Sequence, residues 1–313
     1  MSADHAPKLS IVFVNHDSPE LLAKAIETLY AHRPSFPIET IVVDNASNEK
    51  PPVERFPDTR WIFNRKNRGY AAAANQGSAI AQGEYVAIAN TDIEFLPGTV
   101  DRTVEFLQTH PDAGVVSPQL LWPDMTPQPS VRRFPRLKYL LAGRRSPLRR
   151  FARTLRSDRE FLYAGVEQSP EPVPVEVVTG AFLGARTDFL RSLGGFDEQY
   201  VFYVEDIDLC RRVMQAGKKV YLLPQVRVVH HLGRARRRLG ARAEVQRLRS
   251  FYRYFRNHYP RRLAGMFLFI FAGYLALIQG GSTLGIREWE YSPLKQRGRL
   301  YERDKGEIGV GSG

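Results

Sequence analysis

The chain has 313 residues, of which 43% are hydrophobic and three are Trp, and its formal net charge is +12. This composition excludes a globally disordered protein, and the length is sufficient for one large α/β domain with appendages or for two domains. The charge is concentrated, since residues 131–159 hold eleven Lys and Arg against one acid, and residues 225–262 hold twelve Arg against one acid. Such segments attract anionic lipid headgroups, pyrophosphate substrates or nucleic acid, and composition alone does not choose among these partners.

The first ten residues are polar and lack the apolar core of a signal peptide. Cys210 is the single cysteine and offers no disulfide, which suits a reducing compartment. We therefore predict a protein that is made and kept in the cytoplasm.

From residue 9 to residue 89, predicted strands alternate with predicted helices. The pattern predicts strands at Leu9–Val14, Glu39–Val43, Arg60–Phe63 and Tyr85–Ala89, and helices at Pro19–Tyr30 and Gly69–Ala81. The second of these helices is rich in small residues, which allows another backbone to approach closely. Strands that alternate with helices in short units predict a parallel sheet, with ligands at the carboxyl ends of its strands.

Beyond residue 98 the pattern is less regular. We predict a helix at Thr99–Thr109, and long loops plus one basic helix within residues 122–175. The remaining predicted elements are strands at Val175–Phe182, Val220–Leu223 and Val226–Val229, a helix from Glu205 to Gly217 with Leu209, Val213 and Ala216 facing the core, and an arginine-rich helix at Arg234–Arg256.

The C-terminal region contains sixteen nearly uninterrupted apolar residues at Leu263–Ile278. As a helix this segment would span about 24 Å, which is shorter than the hydrocarbon core of a bilayer, about 30 Å. We predict that it inserts into a membrane or lies at its surface. The alternative is a buried core helix or a dimer helix.

Polar residues stand where the predicted strands end. The carboxylate of Asp44 can accept the imide N–H of a uracil or thymine ring, or it can close an Asx-type turn. Asp92, in Asn90-Thr91-Asp92, can ligate Mg²⁺ or Mn²⁺ between two phosphates, or it can cap a turn. His230 follows a later strand and is a candidate nitrogen ligand, although a lone histidine is more often structural.

The predicted helix from Glu205 begins with three acids, Glu205, Asp206 and Asp208. The helix dipole favours acids in a first turn, so capping is the alternative to a catalytic role. The helix dipole lowers the pKa of a carboxylate there, whereas crowding by other acids raises it. Because these effects oppose each other, we predict a carboxylate that is ionised at pH 7 and can accept a proton from a hydroxyl. Upstream, Asn67-Arg68-Gly69 precedes a helix and is a candidate diphosphate cradle or a simple turn.

Taken together, these segments resemble the inverting family 2 glycosyltransferases, which have the GT-A fold. The resemblance covers residues 10–235 and is carried, in the family's order, by residues 10–29, VVDNASN at 42–48, NRGYAAAANQG at 67–77, IANTDIEF at 88–95, residues 179–212 with VEDIDLCRR, and VVHHLG at 228–233. The branch that it resembles most is the bacterial dTDP-rhamnosyltransferases. The resemblance implies an α/β GT-A (Rossmann-like) domain at residues 8–235, followed by a basic and apolar helical extension at 236–303, which we expect to associate with a membrane, and a tail at 304–313.

The resemblance also implies roles for individual residues. It places nucleotide contacts at Val14, Asn15 and Asp44, metal ligands at Asp92 and His230, and the sugar and acceptor pocket at Gly180, Gly195 and Phe196. With the candidate cradle at Asn67, Arg68 and Gly69, and with Asn90, these contacts make up the expected nucleotide-sugar site. Asp206 corresponds to the catalytic base, with Glu205 as the second choice. Asp92 corresponds to the last acid of the family's DxD motif, whereas Asn90 replaces the first. The implied reaction is metal-dependent, with Mg²⁺ or Mn²⁺, and transfers L-rhamnose from dTDP-L-rhamnose to a cell-wall or O-antigen glycan on a lipid diphosphate at the cytoplasmic membrane face.

Other functions fit part of the sequence. A nucleotidyltransferase would carry a glycine-rich, basic phosphate loop after the first strand, and residues 14–20 contain none. A basic membrane-binding or nucleic-acid-binding protein on an inactive fold would explain the charge, but regularly interleaved aromatic residues are missing from the basic segments and the acids are retained. Another donor, such as a UDP-sugar, is also compatible with the motifs, and the C-terminal helices are a candidate homodimer surface.

Overall fold

A computed structural model of the protein describes residues 6–136, 161–200, 203–231, 240–267 and 269. The chain divides into two compact units. The first ends at Pro260 and the second begins at Arg261. The first unit contains all the strands of the described residues and the candidate site. In the second unit, residues 261–267 are helical.

The first half of the sheet is parallel, as the alternating pattern predicts. Its elements are β1 (Leu9–Asn15), α1 (Pro19–Ala31), β2 (Ile38–Asp44), β3 (Arg60–Phe63), α2 (Tyr70–Ile80) and β4 (Tyr85–Asn90). The strand order is β3-β2-β1-β4, and every pair in it is parallel. Strands β1, β2 and β4 are almost wholly buried apolar runs, which is typical of parallel strands covered on both faces.

The second half of the sheet is mixed, and the less regular pattern beyond residue 98 carries no prediction of its strand directions. Its elements are β5 (Ile93–Phe95), α3 (Thr99–Thr109), β6 (Ala113–Leu121), β7 (Val131–Arg132), β8 (Val173–Val175), β9 (Val177–Val178), β10 (Phe182–Arg186), α4 (Thr187–Ser192), α5 (Glu205–Gln215), β11 (Lys219–His230) and α6 (Gly240–His258). The order continues as β4-β10-β6-β11-β5, with β8 also paired to β11 and with β7 and β9 forming a separate ribbon. Strand β10 is antiparallel to both of its neighbours, and β5 and β8 are antiparallel to β11.

Several predicted elements differ in detail. The single strand predicted at Val175–Phe182 is broken, since β9 ends at Val178 and β10 begins at Phe182. The two strands predicted between Val220 and Val229 are one strand, β11, with a register shift between Leu223 and Arg227. Strand β6, nine buried residues, has no predicted counterpart, and Ala216, predicted to face the core, is exposed at the end of α5.

Small residues set how closely α2 packs on the sheet. Ala71, Ala72, Ala73 and Ala74 are all buried. A Cβ atom at Gly77 would lie 2.3 Å from Val12 Cγ1 of β1. This close approach, expected from the composition of the helix, brings the N-terminus of α2 to the carboxyl ends of β1 and β2.

Part of the C-terminal prediction lies outside the described residues. This applies to residues 137–160 of the segment in which one basic helix is expected, to residues 234–239 of the arginine-rich helix, to residues 268 and 270–278 of the apolar segment and to the tail at 304–313. The described part of the arginine-rich helix is α6. None of the described helices is both long enough and apolar enough to cross a membrane.

Candidate active site

The candidate site lies where parallel strands end side by side. Asn15 at the end of β1 is paired in register with Asp44 at the end of β2, and Val14 is paired with Asn90 at the end of β4. The antiparallel pairing of β11 with β5 places His230 opposite Ile93, beside Asp92. Sheet pairing therefore brings together residues that are more than 200 positions apart in the chain.

Asp44 is buried, and both of its carboxylate oxygens accept hydrogen bonds within the protein. Its Oδ1 accepts from Asn15 Nδ2 at 2.8 Å and from Ser47 Oγ at 2.6 Å, and its Oδ2 accepts from the Ser47 amide at 3.2 Å. The bonds to Ser47 form the Asx-type turn that is one of the two predicted alternatives. They also fix the orientation of this carboxylate at the strand end, while Val14 beside it is half-buried.

Asn45 organises the loop before α2. Its Oδ1 accepts from the Arg68 amide at 2.9 Å, and its Nδ2 donates to Asn67 Oδ1 at 3.0 Å and to the Gly69 carbonyl at 3.2 Å. Gly69 has φ +85°, a conformation that favours glycine. The Arg68 guanidinium is exposed and lies 4.0 Å from Glu198, so this cation stands at the rim of the site.

Asp92 and His230 form a carboxylate–imidazole pair. Asp92 Oδ1 lies 3.3 Å from His230 Nε2, and His230 Nδ1 lies 2.7 Å from Gln128 Oε1. Burial raises the Asp92 pKa, but the hydrogen bond and the charge of His230 outweigh burial and lower it below its usual value. The site therefore keeps this carboxylate ionised.

The Asp92–His230 pair fits a hard divalent ion. An octahedral Mg²⁺ ion with bonds of about 2.1 Å holds neighbouring ligand atoms about 3 Å apart, close to the observed separation of oxygen and nitrogen. No set of three or more His, Cys, Asp and Glu side chains that could hold a metal occurs among the described residues. An ion held here would thus need further oxygen ligands, such as substrate phosphates and water.

A cleft of about 260 Å³ adjoins this pair and is lined by Leu21, Lys24, Asp92, Glu94 and His231. His231 Nε2 lies 2.6 Å from Glu94 Oε1, and the His231 amide donates to the Asp92 carbonyl at 2.8 Å. These contacts fix the backbone on both sides of the carboxylate–imidazole pair.

Asp206, at the N-terminus of α5, is held by three donors. Its Oδ2 accepts from Arg132 Nη2 at 2.8 Å and from the Gly180 amide at 3.2 Å, and its Oδ1 accepts from the Ile207 amide at 2.8 Å. Two consecutive residues before the helix, Tyr203 and Val204, have φ of +62° and +77°. Such conformations are costly for residues with side chains and concentrate at functional sites.

Glu205 has a different environment from its neighbour. Burial and the charge of Asp206 raise the Glu205 pKa to about 8, and Arg132 offsets this only in part. Its buried Oε2 has no hydrogen-bond partner among the described residues. The expected ionised carboxylate is therefore not Glu205, because this group holds its proton at pH 7.

Tyr70 links the two ends of the site. Its hydroxyl donates to the Gly180 carbonyl at 3.1 Å, and burial followed by the charges of Glu205, Asp206 and Asp92 raises its pKa well above the usual range. Acids from both ends of the site are thus close enough to Tyr70 to raise the pKa of its hydroxyl.

The loop before α5 is held by Asn75. This side chain accepts from the Phe196 amide at 2.8 Å and donates to the Phe196 carbonyl at 2.9 Å. Gly195 has φ +66°, and a Cβ atom there would lie 2.3 Å from Asn75 Oδ1. Phe196 is buried and packs edge-to-face on Tyr70, with 6.0 Å between the ring centroids. Of the three predicted pocket residues, Gly180 directly contacts the candidate base.

Sequence reasoning missed Arg132 and Gln128. Both belong to a stretch that reads as loop and basic segment, and their contacts cross 74 and 102 residues of sequence. Tyr70 lies inside a recognisable motif, but nothing in its spacing indicates that it reaches Gly180. The available signal is a glutamine between two prolines and an arginine after a single valine, which is too common to identify a site.

Comparison with known proteins identifies the type of protein. Residues 10–164 match the family described as glycosyl transferase family 2, and this match ends before Asp206 and His230. N-acetylglucosaminyl-diphospho-decaprenol L-rhamnosyltransferase of Mycobacterium tuberculosis is 30% identical over 211 residues, which are 62% of this chain and 67% of that protein. Rhamnosyltransferase WbbL of Escherichia coli K12 is 25% identical, over 78% of this chain and 91% of its own length.

A solved structure supports the same fold. GalNAc-T7, crystallised with UDP, GalNAc and Mn²⁺, superposes with a TM-score of 0.57 at 16% identity, over 72% of this chain. The chain spans 43% of the length of that structure. At this identity the likeness concerns the fold, which is a GT-A glycosyltransferase fold.

Proposed function

The chain belongs to glycosyl transferase family 2, and we propose that it transfers L-rhamnose from dTDP-L-rhamnose to a hydroxyl of a glycan carried on a lipid diphosphate, with inversion at the anomeric carbon. The observation that carries this proposal is that the turn at Gly180 joins the two ends of the site. The Gly180 amide donates to Asp206, and the Asn90 amide, two residues before Asp92, donates to the Ala181 carbonyl at 2.9 Å. A carboxylate–imidazole pair at one end and a desolvated carboxylate at the other suit a diphosphate leaving group and an attacking hydroxyl.

The nucleotide end of the proposed site is formed by β1, β2 and the loop before α2. Asp44, oriented by Asn15 and Ser47, would accept the imide N–H of the base. Arg68 is exposed and would offset the charge that develops on the diphosphate. Asn67 and Gly69 fix the backbone from which this cation projects.

Asp92 and His230 would hold the divalent ion, with Asn90 two residues away. When bound, a Mg²⁺ or Mn²⁺ ion supplies Lewis-acid stabilisation of the leaving diphosphate. The Mn²⁺ in the GalNAc-T7 structure supports this assignment by analogy of fold.

Asp206 would be the catalytic base. Its Oδ2 lies beside Arg132 and the Gly180 amide, and both orient the carboxylate that would accept the hydroxyl proton. Glu205 is the weaker candidate because it holds its own proton at neutral pH. A single base is sufficient for one inversion.

The acceptor class is inferred from the relatives and from charge. The Mycobacterium tuberculosis relative is named for an acceptor on a decaprenol diphosphate. Helix α6 presents Arg249, Arg253 and Arg256 at helical spacing, and these arginines would attract anionic lipids at the surface where such an acceptor lies. We therefore propose that the protein works at the cytoplasmic face of a membrane, with the C-terminal extension contributing to attachment.

The experiment is a donor panel with the purified protein. dTDP-rhamnose, dTDP-glucose, UDP-glucose, UDP-N-acetylglucosamine and GDP-mannose are each supplied with Mg²⁺ or Mn²⁺ and a short-chain polyprenyl diphosphate N-acetylglucosamine. We expect transfer from dTDP-rhamnose alone, and loss of transfer on chelation. Transfer from a UDP-sugar instead would overturn the donor, and full turnover in chelator would overturn the metal assignment.

A further inference from the structure

We propose that Gln128 is a positioning residue for metal binding. Its side-chain oxygen would hold the proton of His230 on Nδ1, so that Nε2 faces Asp92 as a lone-pair donor. This inference rests on the metal site proposed above and adds a residue to which no role has been given.

The geometry of the contact is specific. Gln128 and His230 are 5% and 4% exposed, and Gln128 Oε1 lies 2.7 Å from His230 Nδ1. The other end of the amide, Nε2, donates to the His230 carbonyl at 3.4 Å. A flipped amide would bring its oxygen against that carbonyl, leaving two acceptors in contact. The amide orientation with Oε1 on the imidazole is therefore the favourable one.

The orientation of Gln128 decides which ring nitrogen can bind a metal. An amide oxygen can only accept, so His230 Nδ1 must carry the proton in this contact. In a neutral imidazole the other nitrogen, Nε2, then has the lone pair. This nitrogen faces Asp92 Oδ1 at 3.3 Å. Two acceptor atoms at that separation are held together either by the proton of a hydrogen bond between them or by a divalent ion that takes the place of this proton.

Gln128 is itself anchored by the sheet. Its backbone amide donates to the Leu120 carbonyl at 2.8 Å, and its backbone carbonyl accepts from Gln119 Nε2 at 3.0 Å. Strand β6 thus fixes the backbone of Gln128, and Gln128 fixes the ring of His230. Histidine ligands in metal sites are generally oriented through their second nitrogen in this way, and loss of such a partner costs about 10-fold to 100-fold in metal affinity or activity.

The test is a Mn²⁺ titration in the presence of dTDP, followed by electron paramagnetic resonance, on four full-length proteins. Gln128→Met removes the acceptor at similar volume, and Gln128→Glu restores it. Gln225→Met makes the same chemical change at an exposed residue, whose side chain donates to the Ser169 carbonyl and has no part in the site, and it is the matched control. We expect about 10-fold weaker Mn²⁺ binding for Gln128→Met, and binding within about 3-fold of wild type for Gln128→Glu and Gln225→Met.

Turnover gives a second readout. Gln128→Met should raise the Mn²⁺ concentration for half-maximal rate about 10-fold, with a smaller change in kcat at saturating Mn²⁺. Equal Mn²⁺ affinity in all four proteins, or a loss in Gln128→Glu as large as in Gln128→Met, would overturn the role of Gln128. If Gln128→Met does not fold, a loss of affinity in the Gln128→Glu protein alone refutes the inference.

Failure of the metal site itself is recognised separately. Mn²⁺ bound to the wild-type protein should show a ¹⁴N coupling from a coordinated imidazole in spin-echo spectra, and His230→Ala should remove it. Absence of this coupling in the wild-type protein overturns His230 as a ligand and Gln128 with it. Its presence, with no effect of Gln128→Met, overturns Gln128 alone.

Discussion

Glu205→Gln tests how the two neighbouring acids at the start of α5 divide their functions. Burial and the charge of Asp206 raise the Glu205 pKa from the 4.5 of a free glutamate to about 8. Glutamine reproduces the shape and the neutral charge of the protonated acid. We expect the variant to retain most of the wild-type transfer rate near pH 7, because Glu205 is already neutral there.

The same shift predicts a pH-dependent stability. The folded protein keeps the Glu205 proton up to about pH 8, whereas the unfolded chain releases it at 4.5. The contribution to stability is therefore fully present below 4.5 and is lost as the pH rises through about 8. One retained proton changes the free energy of unfolding by at most about 1.4 kcal/mol per pH unit.

At about 1.4 kcal/mol per pH unit, the full shift of the Glu205 pKa would correspond to a contribution to stability of almost 5 kcal/mol. Local relaxation of the fold and entry of water reduce this contribution. We expect the stability of Glu205→Gln relative to wild type to increase by about 2–3 kcal/mol between about pH 5.5 and about pH 8.5. The assay is urea unfolding, followed by tryptophan fluorescence and circular dichroism, at closely spaced pH values.

An exposed acid outside the site provides the control. Glu171→Gln makes the same chemical change on an exposed residue and should follow the wild-type stability profile. If the Glu205→Gln and wild-type profiles also run parallel across this pH range, Glu205 is ionised in the fold and the argument is refuted. A loss of transfer at pH 7 as large as that of Asp206→Asn would instead identify Glu205 as a base.

The remaining predictions concern other parts of the site. Asp206→Asn should lower kcat by about 10²-fold to 10⁴-fold and leave dTDP-rhamnose binding by calorimetry nearly unchanged, and full turnover would exclude Asp206 as the base. Gly195→Ala should cost about 1–3 kcal/mol in urea unfolding, because its φ is +66° and the new Cβ would lie 2.3 Å from Asn75 Oδ1. Gly194→Ala, at φ +74° with nothing within 4 Å, should cost less, and equal losses would contradict the steric reason. Burial raises the Asp208 pKa, but the contacts with His258 and Arg212 outweigh burial and lower it overall. Asp208→Asn should therefore lower the free energy of unfolding at pH 7, and by progressively less as the pH falls through 3.8 and below. A difference between variant and wild type that stays constant down to about pH 2 would refute this linkage.

The sequence predicts the nucleotide half of the fold well, because local pattern and topology agree there. Strands β1, β2 and β4 are continuous apolar runs separated by amphipathic or small-residue helices, and α3 is predicted at its observed bounds. Short parallel units leave few alternative arrangements. The ends of the strands then indicate where Asn15, Asp44 and Asn90 lie.

The second half is predicted less well because its pairing is not local. Strand β10 lies between β4 and β6 and is antiparallel to both, although nearly 70 residues separate it from β6 in the chain. No local periodicity distinguishes that insertion from another parallel strand. Arg132 and Gln128 are missed for the same reason, since their partners Asp206 and His230 are reached only through the completed sheet.

The two ends of the site differ in how the chain holds them. The separation of Asp92 and His230 is set by backbone pairing, because β5 and β11 are hydrogen-bonded in register and the His231 amide donates to the Asp92 carbonyl. Asp206 instead follows two left-handed residues and depends on donors from β7 and from the Gly180 turn. Groups on paired strands are held more exactly than groups at the end of a loop. We therefore expect the end that carries the proposed metal ligands to be the more rigid one, and the segment that carries the proposed base to adjust to the acceptor.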